Sequence, residues 1–402
     1  MLNSPVVEPL FVNAYTAVTA LGAGRGPTRE AIVAMRSGLS PADFEAGPAS
    51  GFIGRVAAIE SVHFPPAFAD YDCRNNRLAW LGLQADGFIA AVHAASVRHG
   101  ADRVGVIMGT STSGILTTEA CYRERDPVTG ALPDTVRLDT THNFGCLAEF
   151  VRAASGVHGP ALAISTACSS SAKAFAAAAR WMAVGLVDAV VVGGVDSLCG
   201  TTLYGFAALQ LVSSERCRPF DVHRQGISLG EGAGFALLER DPIENPRGLA
   251  LLGYGESSDA HHMSAPHPDG LGAERAMRAA VAMARVDPAR IDYVNAHGTA
   301  TRNNDNVEAV AIARFLGGAK PISSVKGFFG HTLGAAGAIG AVVSLLSIEG
   351  GFIPGTVNTT SIDPECGEAV CDATRAREVR YVLTNAFGFG GSNASLAFGA
   401  AH

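Results

Sequence analysis

GPALAISTACSSSAKAFAAAARWMAVG, residues Gly159 to Gly185, reads as a short apolar strand, a tight turn of small residues and a helix built of Ala, Ser and Phe. KPISSVKGFFGHTLGAAGAIGAVVSLLSIEGG, residues Lys320 to Gly351, repeats that order. Helices so rich in small residues can approach backbone to backbone, as a pair of like helices does at the centre of a layered domain. Val- and Ile-rich runs recur around them, at Arg103 to Met108, Ala161 to Ser165, Ala189 to Val195, Ile291 to Asn295, Ile322 to Val325 and Val379 to Thr384. Runs apolar on both faces predict strands of sheets covered by helices on both sides. The repeat therefore predicts a duplicated α/β architecture, in pattern rather than residue identity. No Gly/Ser-rich or Pro-rich linker interrupts the chain, and the polar segment Glu239 to Gly248, after which a new strand begins at Leu249, is the candidate boundary, dividing it into halves 1–245 and 246–402.

Composition narrows the possible functions. The 402 residues are 48% hydrophobic and 17% charged, with 47 Gly and 19 Pro, which is the reverse of a disordered chain. Little charge per buried residue suits large buried layers or a subunit interface. A formal net charge of -7 gives no long-range attraction to nucleic acid or to an anionic membrane, so neither is an expected partner. The cysteines (73, 121, 146, 168, 199, 217, 366 and 371) form no C-x-x-C pair and no metal-finger spacing, and favour a reduced compartment. MLNSPVVEPL lacks the basic and apolar regions of a secretory signal, and a cytoplasmic location is expected. Gly327 to Ile348 contains no Asp, Glu, Lys or Arg and has the length of a membrane span. It also holds His331, Ser344, Ser347 and five glycines, and reads as a buried helix with its preceding loop.

Cys168, in S-T-A-C-S-S-S, follows a strand and opens a helix, where free N–H groups and the macrodipole favour a thiolate. A Cys among alanines is otherwise an inert core residue, and both readings stand on these residues alone. His297, in Y-V-N-A-H-G-T-A-T, lies just past a strand end, where α/β proteins place functional groups; a hydrogen-bonded loop histidine is the plainer reading. Lys326 and His331 share K-G-F-F-G-H-T-L-G-A-A-G-A, an ammonium and an imidazole framed by glycines at the mouth of an apolar helix. The cluster of His261, His262 and His267 matches no common ligand spacing, and no metal site is expected. The glycines of T-N-A-F-G-F-G-G-S-N-A-S, Thr384 to Ser395, allow backbone N–H groups to approach a substrate, and its phenylalanines could line a tunnel or form a buried turn. No phosphate-binding glycine motif supports a nucleotide cofactor.

Taken in order, T-A-C-S-S at Cys168, R-P-F-D at Arg218, L-G-E-G-A-G at Leu229, S-D-A-H-H-M at Ser258, N-A-H-G-T-A-T at His297, the Lys326 motif and N-A-F-G-F-G-G-S-N at Asn385 resemble the elongating β-ketoacyl-acyl carrier protein synthases of the thiolase superfamily. The resemblance implies a thiolase-like α-β-α-β-α fold and a dimer, usually of identical chains though a heterodimer is compatible. It implies no cofactor, because acyl carrier protein brings the substrates on phosphopantetheine. By resemblance Cys168 takes the acyl chain as a thioester, and His297 and His331 hydrogen-bond the malonyl thioester so that the enolate left by CO2 is stabilised. The carbanion then extends the chain by two carbons. Lys326 would hold and polarise the His331 region, Glu308 would order the second-half loops, and Thr299 and Thr301 would bind the pantetheine arm. The N–H groups of Cys168 and Phe389 match an oxyanion hole, Phe389 also a gate, and Thr112 and Phe387 fall at pocket positions. Arg74, Arg77 and Arg137 match docking positions for the acidic carrier, with Arg74 and Arg77 sharing a helix face at i and i+3.

The sequence departs from the common pattern at R-N-N-D after H-G-T-A-T, at Gln225 and at Thr112, which suggests a specialised acyl pocket, such as one for polyene or polyketide chains. The rival reading is a non-catalytic, chain-length-determining partner subunit of the same fold. It normally lacks the nucleophile, whereas Cys168 and both histidines are present. A degradative thiolase would carry a second catalytic Cys, and chalcone synthase relatives an Asn where His331 stands.

Overall fold

The computed structural model describes residues 8–48, 50–243, 245–317 and 320–401. Its main sheet path contains ten strands: β1 (Leu10–Thr19), β2 (Val104–Gly109), β3 (Ala161–Ile164), β4 (Ala189–Asp196), β5 (Gly232–Glu239), β6 (Leu249–Ser258), β7 (Tyr293–Asn295), β8 (Ile322–Ser323), β9 (Tyr381–Gly388) and β10 (Ser392–Ala400). Their spatial order is β8-β7-β9-β10-β6-β1-β5-β4-β2-β3. Read inward from either end the two halves are alike: β3-β2-β4-β5-β1 and β8-β7-β9-β10-β6. The directions match too, since β2 runs parallel to β3 and β4 as β7 does to β8 and β9, and the remaining pairs in each half are antiparallel. The halves join through two residue pairs of β1 and β6, Leu10 with Leu251 and Phe11 with Ala250.

Helix α1 (Ser170–Ala183) and helix α2 (Ala336–Gly350) lie between the two five-stranded layers. Each packs on the other, on strands of its own half and on strands of the opposite half. Their composition explains the position: α2 is buried from Gly337 to Ile348, and α1 buries a run of alanines from Ala176 to Ala179. A Cβ on Gly337 would stand 2.5 Å from the Ala172 amide nitrogen, so backbone meets backbone there. Helices Arg74–Gln84, Phe88–His99 and Gly145–Ala154 cover the outer face of the first layer, and Leu271–Ala284 with Arg302–Leu316 that of the second. This is the α-β-α-β-α arrangement of a thiolase-like fold.

Strands β1, β5 and β10 are absent from the apolar runs that predict the sheet. GAGFALLE and SNASLAFGA contain small residues because they face the central helices, and small residues carry little strand signal. The stretch Leu333–Gly350, uncharged as far as Ile348, is apolar and long enough to cross a membrane, yet it is largely buried as the central helix. Arg74–His99 also meets that length and apolarity, and its two helices pack on the first layer. All eight cysteines are buried and free.

Gly337→Val should lower the urea midpoint of unfolding by the equivalent of about 1–3 kcal/mol, because the added side chain has only the Ala172 backbone to enter. An unchanged midpoint would show that the helices can separate at no cost.

Candidate active site

Cys168 is set by a short strained turn between β3 and α1. Ala167 takes a left-handed φ of 53°, unusual for a residue with a Cβ. The serines that follow hold it: the Ser170 hydroxyl donates to the Ala167 carbonyl and accepts from the Thr166 N–H, and the Ser169 hydroxyl donates to the Thr166 carbonyl. Ser171 accepts the Ala338 N–H at 2.8 Å and ties α1 to α2. Cys168 is therefore held 6% exposed in the lining of a cavity of about 90 Å³.

His331 arrives from the other half, but the first half clamps its backbone. Its N–H donates to the Ser228 carbonyl at 2.7 Å, and its carbonyl accepts the Gly230 N–H at 3.0 Å. The ring places Nε2 3.1 Å from Cys168 Sγ. The Leu333 N–H donates to Nδ1 at 3.1 Å, so a neutral ring carries its proton on Nε2, facing the thiol. His297 is arranged in a comparable way. The Lys326 ammonium donates to its carbonyl and stands 3.4 Å from Nδ1, which leaves the proton on Nε2. The two rings are 5.3 Å apart and nearly perpendicular. Glu308 accepts the N–H groups of His297 and Gly298, each at 2.8 Å, and the Asn385 amide at 3.0 Å.

Burial sets the protonation states. It pushes the Cys168 thiol up to about 11, against the opposing pull of the Lys326 charge and of the Phe389 and Cys168 N–H groups. The thiolate favoured by the helix terminus in the sequence is therefore outweighed, and the resting group is a thiol. Burial, reinforced by Lys326, holds both imidazoles well below their ordinary range, so they are neutral at pH 7. Lys326 is itself lowered by burial, with Glu308 working the other way. Burial raises Glu308, while its N–H donors and Lys326 favour the carboxylate.

Among the described residues, Cys168, His297 and His331 are the only His, Cys, Asp or Glu group compact enough to hold a metal, with donor atoms within 4.8 Å. The tautomers oppose ligation, because donors occupy both Nδ1 atoms and each Nε2 presents a proton rather than a lone pair. His261 and His267 come within 5.3 Å, ring to ring, on a separate loop.

Thr299 and Thr301, with hydroxyls 2.9 Å apart, line the same cavity as Phe387 and Phe389. The Phe389 ring lies 5.7 Å from Phe206 and the Phe387 ring 6.0 Å from His297. Three expectations need correction. Thr112 does not line the cavity at Cys168: its hydroxyl and N–H are both bound to buried Asp196. Lys326 bonds to His297 rather than His331. Arg74 is not an accessible docking cation, because its guanidinium is 9% exposed and forms two bonds to fully buried Glu231. Arg77 sits beside it in sequence but is tied to Asp72, and Arg137 is half exposed, 3.8 Å from Asp70.

Three charged residues essential to this geometry carry too little local signal to be singled out in the sequence. Asp305 accepts the N–H groups of Thr299, Ala300 and Phe220, and Arg224 is buried between Asp305 and Asp363. Asp196 ends β4 with five donors around it. The one mark it bears in the sequence is that of a lone acid closing an apolar strand.

Residues 79–242 match the family described as Beta-ketoacyl synthase, N-terminal domain, and residues 250–360 its C-terminal domain. The chain belongs to the β-ketoacyl synthase family. It is thus a β-ketoacyl-acyl carrier protein synthase, an acyltransferase of the condensing type. The chain is 34% identical to 3-oxoacyl-(acyl-carrier-protein) synthase 2 of Vibrio harveyi over 388 residues, 87% of this chain and 91% of that one. It is 41% identical to the Rhizobium meliloti (strain 1021) protein of the same name over 256 residues, a match spanning 60% of this chain and 61% of that relative. Among solved structures it resembles a chain of the ketosynthase ApeO in complex with its chain length factor ApeC from Xenorhabdus doucetiae, with TM-score 0.88, 35% identity and full coverage of both chains.

Below a pKa near 11 the thiolate fraction rises about tenfold per pH unit. Alkylation of Cys168 by iodoacetamide should therefore climb between about pH 7 and 10. Lys326→Met should shift the curve to higher pH, since the cation lowers the thiol pKa. A plateau near neutrality would contradict the buried, protonated thiol.

Proposed function

We propose that this β-ketoacyl synthase carries out a decarboxylative Claisen condensation with Cys168 as nucleophile and His297 and His331 as paired donors. The observation that carries the reading is His331 Nε2 at 3.1 Å from the buried Cys168 thiol, with a His297 ring nitrogen within 4.8 Å of both. Such a pair cannot readily act as a base towards Cys168, since neither Nε2 offers a lone pair, but it suits an oxygen that gains negative charge.

In the first half-reaction Cys168 sulfur attacks an acyl thioester, the pantetheine sulfur leaves, and one proton passes from thiol to leaving thiol. In the second, the C–CO2 bond of a malonyl thioester breaks, CO2 departs, and the electron pair moves into an enolate whose oxygen accepts from His297 and His331. The enolate carbon attacks the acyl carbonyl on Cys168, a C–C bond forms, and the sulfur leaves and regains a proton from solvent. Negative charge on the attacked carbonyl falls between the Cys168 and Phe389 N–H groups, both directed at the sulfur in the resting site. We assign the hydroxyls of Thr299 and Thr301 to the pantetheine arm, Phe387 and Phe389 to the wall and gate of the acyl pocket, and Glu308 and Lys326 to holding His297. No resident cofactor enters this scheme, and the electron sink is the thioester carbonyl.

We infer that acyl carrier protein supplies both substrates and that the enzyme works in the cytoplasm as a dimer with a ketosynthase-type chain. The partner is either a second copy or a chain length factor; the ApeO–ApeC complex and the ishigamide ketosynthase/chain length factor, the latter with TM-score 0.87 and 29% identity, favour the second. With Arg74 engaged internally, Arg77 and Arg137 remain the docking candidates.

Incubation with acyl and malonyl carrier protein, followed by mass spectrometry, should reveal an acyl adduct on Cys168, release of CO2 and a product longer by two carbons. Cys168→Ala should abolish the adduct, and an adduct that survives would overturn the assignment. Arg77→Glu with Arg137→Glu should raise KM for carrier-bound substrate by about tenfold while sparing small thioesters. Equal losses on both substrates would remove these arginines from docking.

A further inference from the structure

Asp196 is fully buried at the end of β4 and has no cationic partner among the described residues. Burial pushes its carboxyl up, and only the hydrogen bonds it accepts favour the carboxylate. Oδ1 accepts the hydroxyls of Thr110 and Thr112, each at 2.8 Å, and the N–H groups of Ser111 and Thr112 at 2.8 and 2.9 Å. Oδ2 accepts the Gly334 N–H, which comes from the opposite half of the molecule. A Cβ at Gly334 would lie 2.7 Å from that oxygen and 2.7 Å from the Ser111 hydroxyl, so the contact needs glycine.

Gly334 closes a turn that starts at His331. Between them Leu333 has a left-handed φ of 49°, a conformation a leucine holds only when its neighbours impose it. The preceding peptide, set by Thr332 at ψ 27°, aims the Leu333 N–H at His331 Nδ1, and the left-handed Leu333 then carries the chain round to Gly334. One end of the turn is clamped by Ser228 and Gly230, and the other by Asp196. Release of Gly334 would unpin the far end of the turn, so that the Thr332–Leu333 peptide could rotate and carry the Leu333 N–H away from the ring, freeing His331 to exchange tautomers. The carboxylate also reaches towards the nucleophile, but weakly, through a Ser111 hydroxyl 3.4 Å from the Ala167 carbonyl.

We propose that Asp196 is a positioning residue for the decarboxylation half-reaction: by holding the Gly334 N–H it maintains the Leu333 turn that fixes His331 as the Nε2–H tautomer facing Cys168. The proposal rests on the condensation chemistry assigned above, in which that proton stabilises the enolate. Asp196 itself touches neither substrate nor thiol. Its contribution is to keep the donor pointing inward without reorganisation when charge develops.

The test uses the full-length protein labelled with 15N in its histidines, with His331 assigned by comparison with His331→Gln. Imidazole 15N spectra should show His331 of the unaltered protein as the Nε2–H tautomer at neutral pH. An Nδ1–H tautomer would overturn the proposal without recourse to any variant. Asp196→Asn removes the charge and turns one oxygen into a donor. It should give mixed His331 tautomers and slow malonyl decarboxylation by about 10- to 100-fold, with a smaller effect on acyl transfer to Cys168. Unchanged decarboxylation, or equal losses in both steps, would reduce Asp196 to a structural residue. If Asp196→Asn does not fold, the tautomer of the unaltered protein still decides. A protein that neither acylates Cys168 nor decarboxylates malonyl carrier would instead refute the condensation reading and leave the tautomer result standing.

Discussion

The backbones of α1 and α2 pass so closely between the two sheets that Gly337 could not carry a side chain without displacing Ala172 of the other helix. Much of the remaining architecture depends on that contact. It brings the first turn of α1, with Cys168, level with the loop that precedes α2, with His331, and so unites two residues separated by 163 positions in sequence. It also dictates composition: the strands facing the helices are rich in Gly and Ala because there is no room for bulk, and the helices trade side-chain burial for backbone proximity.

Electrostatics in the site follow from the same burial. Asp196, Asp305 and Glu308 are fully buried carboxylates, and each is surrounded by backbone N–H groups of the loops that carry Thr112, Thr299 or His297. A carboxylate buried in this manner costs desolvation, offset only if its donors are held in place; the loops are thereby made rigid by the charges they solvate. Lys326 serves a double purpose. Its charge depresses the imidazoles, and its N–H groups occupy the edge of His297 that would otherwise compete for the proton.

Much of the site is legible in the amino-acid sequence. Cys168, His297, Lys326 and His331 stand in short motifs at strand ends, where side-chain type and flanking glycines mark them, and the α/β repeat follows from two strand–turn–helix segments. The strands β1, β5 and β10 are not legible there, since their small or alternating residues carry no strong strand pattern. Nor is the fate of Arg74. A helix-start arginine looks solvent-facing until Glu231, 157 positions away, is found beneath it. Thr112 is misplaced for the same reason: its partner Asp196 ends a strand 84 positions away.

By itself the sequence determined the α/β class through its local periodicity, and its ordered motifs, by their resemblance to the β-ketoacyl synthases, singled out Cys168, His297 and His331. Only the tertiary structure decided which nitrogen of each imidazole bears the proton, that Arg74 is engaged internally, and whether the thiol rests charged. Those properties depend on the groups that surround a side chain, and here the decisive neighbours, Leu333, Lys326, Glu231 and Asp196, are brought to their places by chain packing across two halves.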